Sequence, residues 1–512
     1  MDLLKEERSA IITEKNNPIS RRLFIFLIFY ILAVVLATYH PIVTGHFISD
    51  DYWIIASAKE HGFSLKQFFR SIGQHFLPLY KIFITAEFKI FGVNPTGFYC
   101  MNIFLHLTNV LLVIILFSQL FKDRIIGLIT GFIFGITASH WKVAMWITTQ
   151  SIQMTTCCFL LSIILFIRFL ERKRPHLLLF SALFHFLMFM SFTSGVEVPL
   201  CFFWLYIAFT YHEDPPQCIS KKTFTYGLKI VIPFALNVIV FFILRQILFP
   251  KGLSLLKKGL IEGIIKNLPE ALSFVCGGIY YGYVRSFINA YDKPFYYILI
   301  ILGLMLLALN WSKEGIRKYW IYIPCFIFWI FFIYTPLASY RLSFGYSGFT
   351  SKSRYLYLPC VFAAAVFALL LRSFRFFSGP TSRINKILVI VTIFFFLWVA
   401  SSNNRILTDE LYSLKKMSVA LKKSQQVFLN DLERLLRLKK DDLIQIVDKG
   451  IADNMAGWNV FPSLLVRIYL SKPDEKRIRF VPPDKQDEWD KDIPVYSFSD
   501  KGHIYQVHSV GE

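Results

Sequence analysis

Two neighbouring carboxylates follow the first long apolar stretch of the chain. Asp50 and Asp51 lie in the run His46-Phe47-Ile48-Ser49-Asp50-Asp51-Tyr52-Trp53. A carboxylate at a membrane surface is costly to desolvate, and one that keeps its charge can take a proton from a hydroxyl group. The same run fits the start of a helix, where an Asp side chain caps free amides and meets the positive end of the dipole. Both interpretations stay open, because one acid can cap while the other faces a pocket.

A second polar cluster, Ser353-Arg354-Tyr355-Leu356-Tyr357-Leu358-Pro359, comes directly before a later apolar segment. An arginine at the edge of the bilayer can bind a phosphate through two hydrogen bonds while its stem stays in the apolar layer. Arginine and tyrosine also prefer this depth as simple interfacial anchors. The residue types therefore leave a phosphate site and an anchor as alternatives.

The elements that must position these residues are membrane helices. Hydrophobic residues make up 55% of the 512 residues and charged residues 17%, which excludes an ordinary soluble protein. A span needs roughly 20 apolar residues. Such segments predict an all-α polytopic membrane bundle of about 11 transmembrane helices over residues 1–402. They lie near 23–44, 99–121, 125–138, 150–167, 177–192, 197–211, 226–249, 295–310, 319–338, 355–371 and 387–402.

The distribution of basic residues predicts the orientation. With the N-terminus inside, the inside segments hold 20 Lys plus Arg in 71 residues, whereas the outside loops hold 15 in 130. This bias follows the positive-inside rule and places loops 45–98 and 250–294 outside. It also explains the net charge of +21 without nucleic acid. Residues 271–290 are apolar as well, but their glycines and Arg285 favour a re-entrant or interfacial segment over a twelfth span.

The last part of the chain, residues 403–512, has 18 basic and 17 acidic residues and no spanning run. We predict a small soluble α/β domain outside the membrane, helical from Leu407 through Leu438. Strands are expected near Ile478–Val481, Val495–Phe498 and Ile504–Val507. In the outside loop 45–98, Leu65, Phe68, Phe69 and Ile72 repeat at helical spacing, which predicts a helix lying in the interface or packed on the bundle.

An ordered set of motifs resembles the GT-C superfamily, in the branch of the protein mannosyltransferases and the lipid A aminoarabinose transferase. The set begins with the paired acids and continues with His75-Phe76-Leu77-Pro78-Leu79 and Phe91-Gly92-Val93-Asn94-Pro95. An Asn-x3-His pair follows, and the Arg-Tyr-Leu-Tyr-Leu-Pro string closes the set. Ser194-Gly195-Val196-Glu197-Val198-Pro199 is similar to a Lys-Glu motif of that branch, with Val196 in place of the lysine. The resemblance covers about residues 20–405.

The resemblance implies a membrane glycosyltransferase that uses a polyprenyl-phosphate or dolichyl-phosphate sugar. Asp50 or Asp51 would be the general base on an acceptor hydroxyl, and the reaction would invert the sugar. Arg354 would bind the leaving phosphate, helped by Arg285 or Lys352. Further candidate pocket residues are Tyr52, His75, Asn102, His106, His140, Glu197 and Tyr355. Some members hold a divalent metal with an acid in the second outside loop, but residues 139–149 contain none, so we expect no metal and no other cofactor.

The implied partners are the lipid-linked donor, membrane lipids and an acceptor that is a lipid, a glycan or a protein. Two other functions stay open, namely a transporter or flippase of lipid-linked glycans and a surface-polysaccharide polymerase or ligase. The outside segments have no Asn-x-Ser/Thr acceptor, which favours a bacterial plasma membrane over the endoplasmic reticulum. We expect a cytoplasmic N-terminus and a C-terminus outside.

Overall fold

In the computed structural model, the described residues up to 376 are almost entirely helical. The structure describes residues 19–48, 50–69, 76–137, 140–192, 198–213, 220–248, 322–330 and 357–376. In the C-terminal part it describes residues 422–438, the strands given below and short stretches within 408–419 and 465–470. The helices are α1 (Arg21–Tyr39), α2 (Asp51–His61), α3 (Leu65–Phe69), α4 (Pro78–Phe91), α5 (Pro95–Leu120), α6 (Arg124–Gly135), α7 (Trp141–Met145), α8 (Gln150–Arg172), α9 (Pro175–Ser191), α10 (Val198–Glu213), α11 (Lys221–Leu248) and α12 (Tyr357–Phe376).

Four helical stretches among the described residues are long and apolar enough to cross a membrane, namely Arg21–Thr44, Pro95–Leu120, Ile147–Arg172 and Lys221–Leu248. They coincide with predicted spans, so the membrane class is confirmed. Helices α6, α9, α10 and α12 coincide with other predicted spans and are shorter apolar helices. The predicted spans 295–310 and 387–402 and the segment 271–290 lie outside the described residues, so the number of spans stays a prediction.

The packing of α6 against α5 depends on three glycines spaced four residues apart. A Cβ atom at Gly127 would lie 1.9 Å from Ser118 Oγ, and one at Gly131 would lie 2.2 Å from Ile114 Cγ1. The same addition at Gly135 would come within 2.6 Å of Val35 on α1. Small residues repeated at this interval let membrane helices approach closely. This contact fixes where α5 presents its polar side chains.

A reciprocal pair of serines joins α8 to α9 in the bundle. Ser162 Oγ donates to the carbonyl of Ser181 at 2.6 Å, and Ser181 Oγ donates to the carbonyl of Ser162 at 2.7 Å. Both side chains are buried. Hydroxyl groups that bond across two helices hold them together where hydrophobic driving force is absent. Helix α8 is thereby fixed on one side by α9, and its N-terminal end is free to carry the groups described below.

In the C-terminal part, four strands form a sheet in the order β4-β1-β5-β6. The strands are β1 (Ile444–Val447), β2 (Ile451–Asp453), β3 (Trp458–Val460), β4 (Ile478–Val481), β5 (Val495–Phe498) and β6 (Ile504–Val507). Strand β1 is parallel to β4 and β5, β5 is antiparallel to β6, and β2 pairs with β3. The three strands expected from sequence are confirmed as β4, β5 and β6. The predicted helical half includes helical residues 422–438, where Phe428 and Leu432 are buried.

The predicted amphipathic helix of the first outside loop is helical over Leu65–Phe69. Leu65 is 74% exposed and Phe69 42% exposed, so this short helix presents apolar side chains outward. Exposed apolar side chains beside a membrane bundle fit a location in the interface. Ile72 lies outside the described residues.

Candidate active site

Asp51 is a buried carboxylate with three hydrogen-bond donors around it. Its Oδ2 atom accepts from the backbone amide of Ile48 at 3.1 Å. Its Oδ1 atom accepts from both the amide and the hydroxyl of Thr148, each at 2.9 Å. Asp51 is the first residue of α2, whereas Thr148 belongs to the turn before α8. The carboxylate therefore joins the loop 45–98 to the loop 139–149.

The surroundings of Asp51 shift its pKa in opposite directions. Burial raises the pKa of Asp51 to about 7, against the lowering effect of the hydrogen bonds from Ile48 and Thr148. The negative charge of the adjacent Asp50 raises the pKa further. With both oxygens engaged and the side chain 0% exposed, Asp51 has no surface on which to meet a substrate. Its geometry is that of a structural carboxylate.

Asp50 occupies the N-cap position of α2, but its side chain makes no capping hydrogen bond. The capping interpretation of the acidic pair is therefore wrong for Asp50. The reason lies in the backbone, since a capping residue needs an extended conformation. Asp50 instead has φ of −63° and ψ of −14°, in the helical region. Its carboxylate is on the exposed surface, beside the fixed Asp51.

The short helix α7, which precedes the turn that carries Thr148, is held by buried amides on two spans. On α5, Asn102 Nδ2 donates to the carbonyl of Ala144 at 2.9 Å, and its Oδ1 accepts from Gln153 of α8 at 3.0 Å. Gln153 also donates to the carbonyl of Val143 at 2.9 Å. Asn102 and Gln153 are both fully buried. Asn102, the Asn of the Asn-x3-His motif, thus holds the loop 139–149 against α5 and α8.

The His of the same motif meets the Arg-Tyr-Leu-Tyr-Leu-Pro string. His106 Nε2 lies 3.0 Å from the carbonyl of Gly135, and its Nδ1 lies 2.7 Å from the hydroxyl of Tyr357. Because a carbonyl only accepts, Nε2 carries the proton and Nδ1 accepts from Tyr357. The same hydroxyl accepts from Asn109 Nδ2 at 3.3 Å. This neutral network fixes the first residue of α12, three residues after Arg354.

His140 lies inside an aromatic cluster. Its ring centroid is 4.5 Å from that of Tyr357, 4.7 Å from that of Phe134 and 5.7 Å from that of His106. Burial lowers the pKa of His140 well below its ordinary value, and the nearby His106 lowers it further. The ring is 0% exposed. His140 therefore packs as a neutral side chain, which agrees with a structural histidine.

Tyr52 is fully buried. Its hydroxyl donates to Gln425 Oε1 in the C-terminal part of the chain. Asp50, Asp51 and Tyr52 are consecutive residues at the start of α2. On α5, Asn102 bonds to Ala144, and the ring of His106 lies next to that of His140. The remaining candidates lie outside the described residues, namely His75, Glu197, Arg285, Lys352, Arg354 and Tyr355.

Sequence reasoning did not single out Glu87 of α4, which is 2% exposed. Gln150 Nε2 donates to its Oε1 atom at 3.2 Å, and its Oε2 atom has no hydrogen bond within the described part of the chain. Burial raises the pKa of Glu87 to about 8, against the lowering effect of Gln150. The signal was present in the sequence, because Glu87 interrupts an apolar run. The polar run Thr148-Thr149-Gln150-Ser151-Ile152-Gln153 likewise begins an otherwise apolar span.

Arg245 was also missed by sequence reasoning. It lies in the last turn of α11 and is 3% exposed. One turn earlier, the ring of Phe241 lies 6.1 Å from that of Phe76, which precedes α4. Arginine is rare inside a span and commonly has a functional reason there. The positive charge of Arg245 lies at the end of α11 that meets the first outside loop.

Two solved structures are similar to this chain. An oligosaccharyltransferase from Archaeoglobus fulgidus, tethered with an acceptor peptide, is 10% identical with a TM-score of 0.46. The match covers 89% of this chain, which spans 64% of the length of that protein. ArnT from Cupriavidus metallidurans, bound to undecaprenyl phosphate, is 11% identical with a TM-score of 0.48, and the match covers 91% of this chain and 92% of that one.

No protein-family model and no curated protein matches the chain. Both solved proteins are glycosyltransferases of the GT-C superfamily, the superfamily that the motifs of this chain resemble. At these identities and TM-scores, the similarity assigns no role to any residue of this chain.

Proposed function

We propose that this protein is an integral membrane glycosyltransferase that moves a sugar from a polyprenyl-phosphate donor to an acceptor hydroxyl, with Asp50 as the general base. The observation that carries the proposal is the different environment of the two acidic residues. Asp51 is buried and held by three hydrogen bonds, whereas the adjacent Asp50 is exposed and its side chain makes no capping bond. A base must reach the proton that it removes, and its position must be fixed. Asp50 is exposed, and the three hydrogen bonds of the adjacent Asp51 hold its backbone in place.

The proposed step is a single displacement at the anomeric carbon. The acceptor oxygen forms a bond to this carbon as the bond from the carbon to the phosphate oxygen breaks. The acceptor proton passes to Asp50, and the polyprenyl phosphate leaves with the bonding electron pair, so the sugar is inverted. Negative charge develops on the leaving phosphate, where a guanidinium group stabilises it. We assign this role to Arg354, which begins the Arg-Tyr-Leu-Tyr-Leu-Pro string, with Arg285 and Lys352 as helpers.

The donor set around the acidic pair does not fit a divalent ion shared by the two outside loops. Both oxygens of Asp51 already accept hydrogen bonds, and residues 139–149 contain no acid. The second loop instead supplies Lys142, which is 8% exposed and whose Nζ lies 4.8 Å from the ring centroid of Trp141. A hard cation needs several free oxygen ligands. We therefore propose a reaction that needs no metal.

The partners follow from the proposed chemistry. The polyprenyl tail of the donor would lie among the apolar helices, and the acceptor would approach Asp50 from the non-cytoplasmic side. We place the protein in a bacterial plasma membrane, because the outside segments have no Asn-x-Ser/Thr acceptor. The charge distribution favours a cytoplasmic N-terminus. The acceptor class is a lipid, a glycan or a protein.

The buried polar groups argue against a transporter or flippase. In such proteins, polar side chains inside the membrane line a path for the substrate or a coupling ion. Here Asn102, His106 and Gln153 bond to backbone carbonyls of α6 and α7, and Gln153 also donates to Asn102. Groups engaged in this way hold helices together and offer no open pathway among the described residues.

The test compares surface glycans and glycolipids by mass spectrometry in host cells that lack the gene and carry either the wild-type chain or a variant. A sugar lost on deletion identifies donor and acceptor. Asp50→Asn should fail to restore it, with a rate loss of about 10²-fold or more. Asp51→Asn should lower the unfolding midpoint, because the amide cannot accept all three hydrogen bonds, while the protein that folds keeps part of its activity.

Two outcomes would count against this proposal. Full restoration by Asp50→Asn, at wild-type protein levels, would remove Asp50 as the base. Loss of transfer in membranes treated with excess chelator, recovered by a divalent cation, would overturn the metal-free version of the reaction.

A further inference from the structure

The helix that carries the acidic pair is held from a second side by the C-terminal part of the chain. Tyr52 donates its hydroxyl to Gln425 Oε1, and both side chains are buried. Further along the same helix, Lys59 Nζ donates to the carbonyl of Ile468 at 2.8 Å and to that of Leu470 at 3.0 Å. These residues are separated from α2 by more than 350 positions in sequence. The contact is therefore tertiary, between the membrane part and the C-terminal part.

The spacing of the two anchors on α2 gives the contact its direction. Tyr52 and Lys59 are seven residues apart, which is close to two helical turns, so they lie on one stripe of the helix. Asp51 precedes Tyr52 by one residue and points to Thr148 on a different side. Helix α2 is thereby fixed between the second outside loop and the C-terminal part. Asp50, at its N-terminal end, is left exposed.

The segment before α2 meets the same surface. Lys422 and Gln425 both act on His46, since the charge of Lys422 lowers its pKa and a hydrogen bond to Gln425 raises it. The backbone carbonyl of His46 accepts from the hydroxyl of Tyr99 on α5 at 2.6 Å. Lys422 and Gln425 thus act on His46, and Gln425 also bonds to Tyr52. His46 precedes Asp50 in the sequence and Tyr52 follows it.

We infer that the C-terminal part is a component of the catalytic unit, in which Gln425, acting through Tyr52, is a positioning residue for the Asp50 carboxylate. The inference rests on the proposed function of Asp50. Its physical basis is that a small displacement of a catalytic group can cost about 10²-fold in rate. A base at a helix end moves when that helix turns or slides. Tyr52, two residues after Asp50, bonds to the C-terminal part at Gln425.

The test uses the purified full-length protein with Gln425→Leu, Gln425→Glu and Tyr52→Phe. Gln426→Leu is the matched control, because Gln426 is the next residue, is exposed, and bonds only to Asn430 of its own helix among the described residues. The first readout is amide hydrogen exchange of residues 46–61. We expect faster exchange there in Gln425→Leu and Tyr52→Phe, with no change in Gln425→Glu, which still accepts from the tyrosine, or in Gln426→Leu.

The second readout is transfer from polyprenyl-phosphate sugars extracted from host membranes. Gln425→Leu should lower kcat by about tenfold or more with little change in KM for the donor, and Gln425→Glu should restore it. The double variant Gln425→Leu with Tyr52→Phe should be no slower than either single variant, since both remove one contact.

The outcomes separate this inference from the proposed function. Unchanged exchange in Gln425→Leu would overturn the contact, and faster exchange with unchanged kcat would overturn the positioning role. A wild-type protein without transfer activity, or with activity that survives Asp50→Asn, would instead show that the proposed function had failed.

Discussion

The amide and the hydroxyl of Thr148 both donate to the Oδ1 atom of Asp51, each at 2.9 Å. The two residues are 97 positions apart in sequence, so their contact joins the loop 45–98 to the loop 139–149. Just before the turn that carries Thr148, the buried amides of Asn102 and Gln153 donate to the carbonyls of Ala144 and Val143 in α7. The position of the acidic pair therefore depends on side chains inside two membrane spans.

Replacing Thr148 by Val tests this dependence, because the variant keeps the backbone amide and loses the hydroxyl. We expect a stability loss of about 1 kcal/mol, the usual worth of one hydrogen bond, together with a several-fold fall in kcat. Thr108→Val is the control, since the Thr108 hydroxyl bonds to a carbonyl of its own helix. Thermal unfolding in detergent and the transfer assay measure the two effects. Equal values for both variants would show that the hydroxyl has no role in holding Asp51.

Tyr357→Phe removes the hydroxyl that links His106 to Asn109. The buried Nδ1 of His106 then lacks its donor, and an unsatisfied buried group costs about 1–3 kcal/mol. We expect a lower unfolding midpoint and, because Arg354 lies three residues before this anchor, weaker binding of the donor. Tyr30→Phe, at an exposed position of α1, is the control. An unfolding midpoint like that of the wild type would contradict the network.

Arg354→Ala should raise KM for the lipid donor more than KM for the acceptor, because the guanidinium is proposed to hold the phosphate. Arg354→Lys keeps the charge without the bidentate contact, so its KM for the donor should lie between those of Arg354→Ala and the wild type. Arg437→Ala is the control, because Arg437 lies 3.9 Å from Glu433 of its own helix and is exposed. Steady-state kinetics at varied donor concentration measure the difference. A donor KM unchanged in Arg354→Ala would leave Arg354 as an interfacial anchor.

Hydropathy was sufficient to predict the long helices, since a span is a local property of about 20 residues. The roles within the acidic pair could not be predicted from local sequence, because they depend on Thr148 and on the backbone conformation of Asp50. Strand β1 was missed for a related reason. It has four residues, and its partners β4 and β5 follow about 30 and 50 positions later. Short strands are specified by tertiary packing more than by local preference.

Glu87 predicts a dependence of stability on pH. Burial raises its pKa from an ordinary value near 4.5 to about 8, so the folded state binds the proton more tightly than the unfolded state. The resulting stabilisation is complete below the ordinary pKa and is lost as the pH rises to about 8. We expect the unfolding midpoint of the wild type to fall over this range.

The unfolding midpoint of Glu87→Gln should fall less as the pH rises, because the amide stays neutral. This variant should be more stable than the wild type at about pH 8.5. The unfolding midpoint of this variant should still decline slightly with pH, because Asp51 also has a raised pKa, at about 7. Glu60→Gln, a substitution at a more exposed glutamate, should follow the wild-type curve. Parallel curves for wild type and Glu87→Gln would mean that Glu87 is ionised in the folded protein. A cation would then have to lie beside its Oε2 atom.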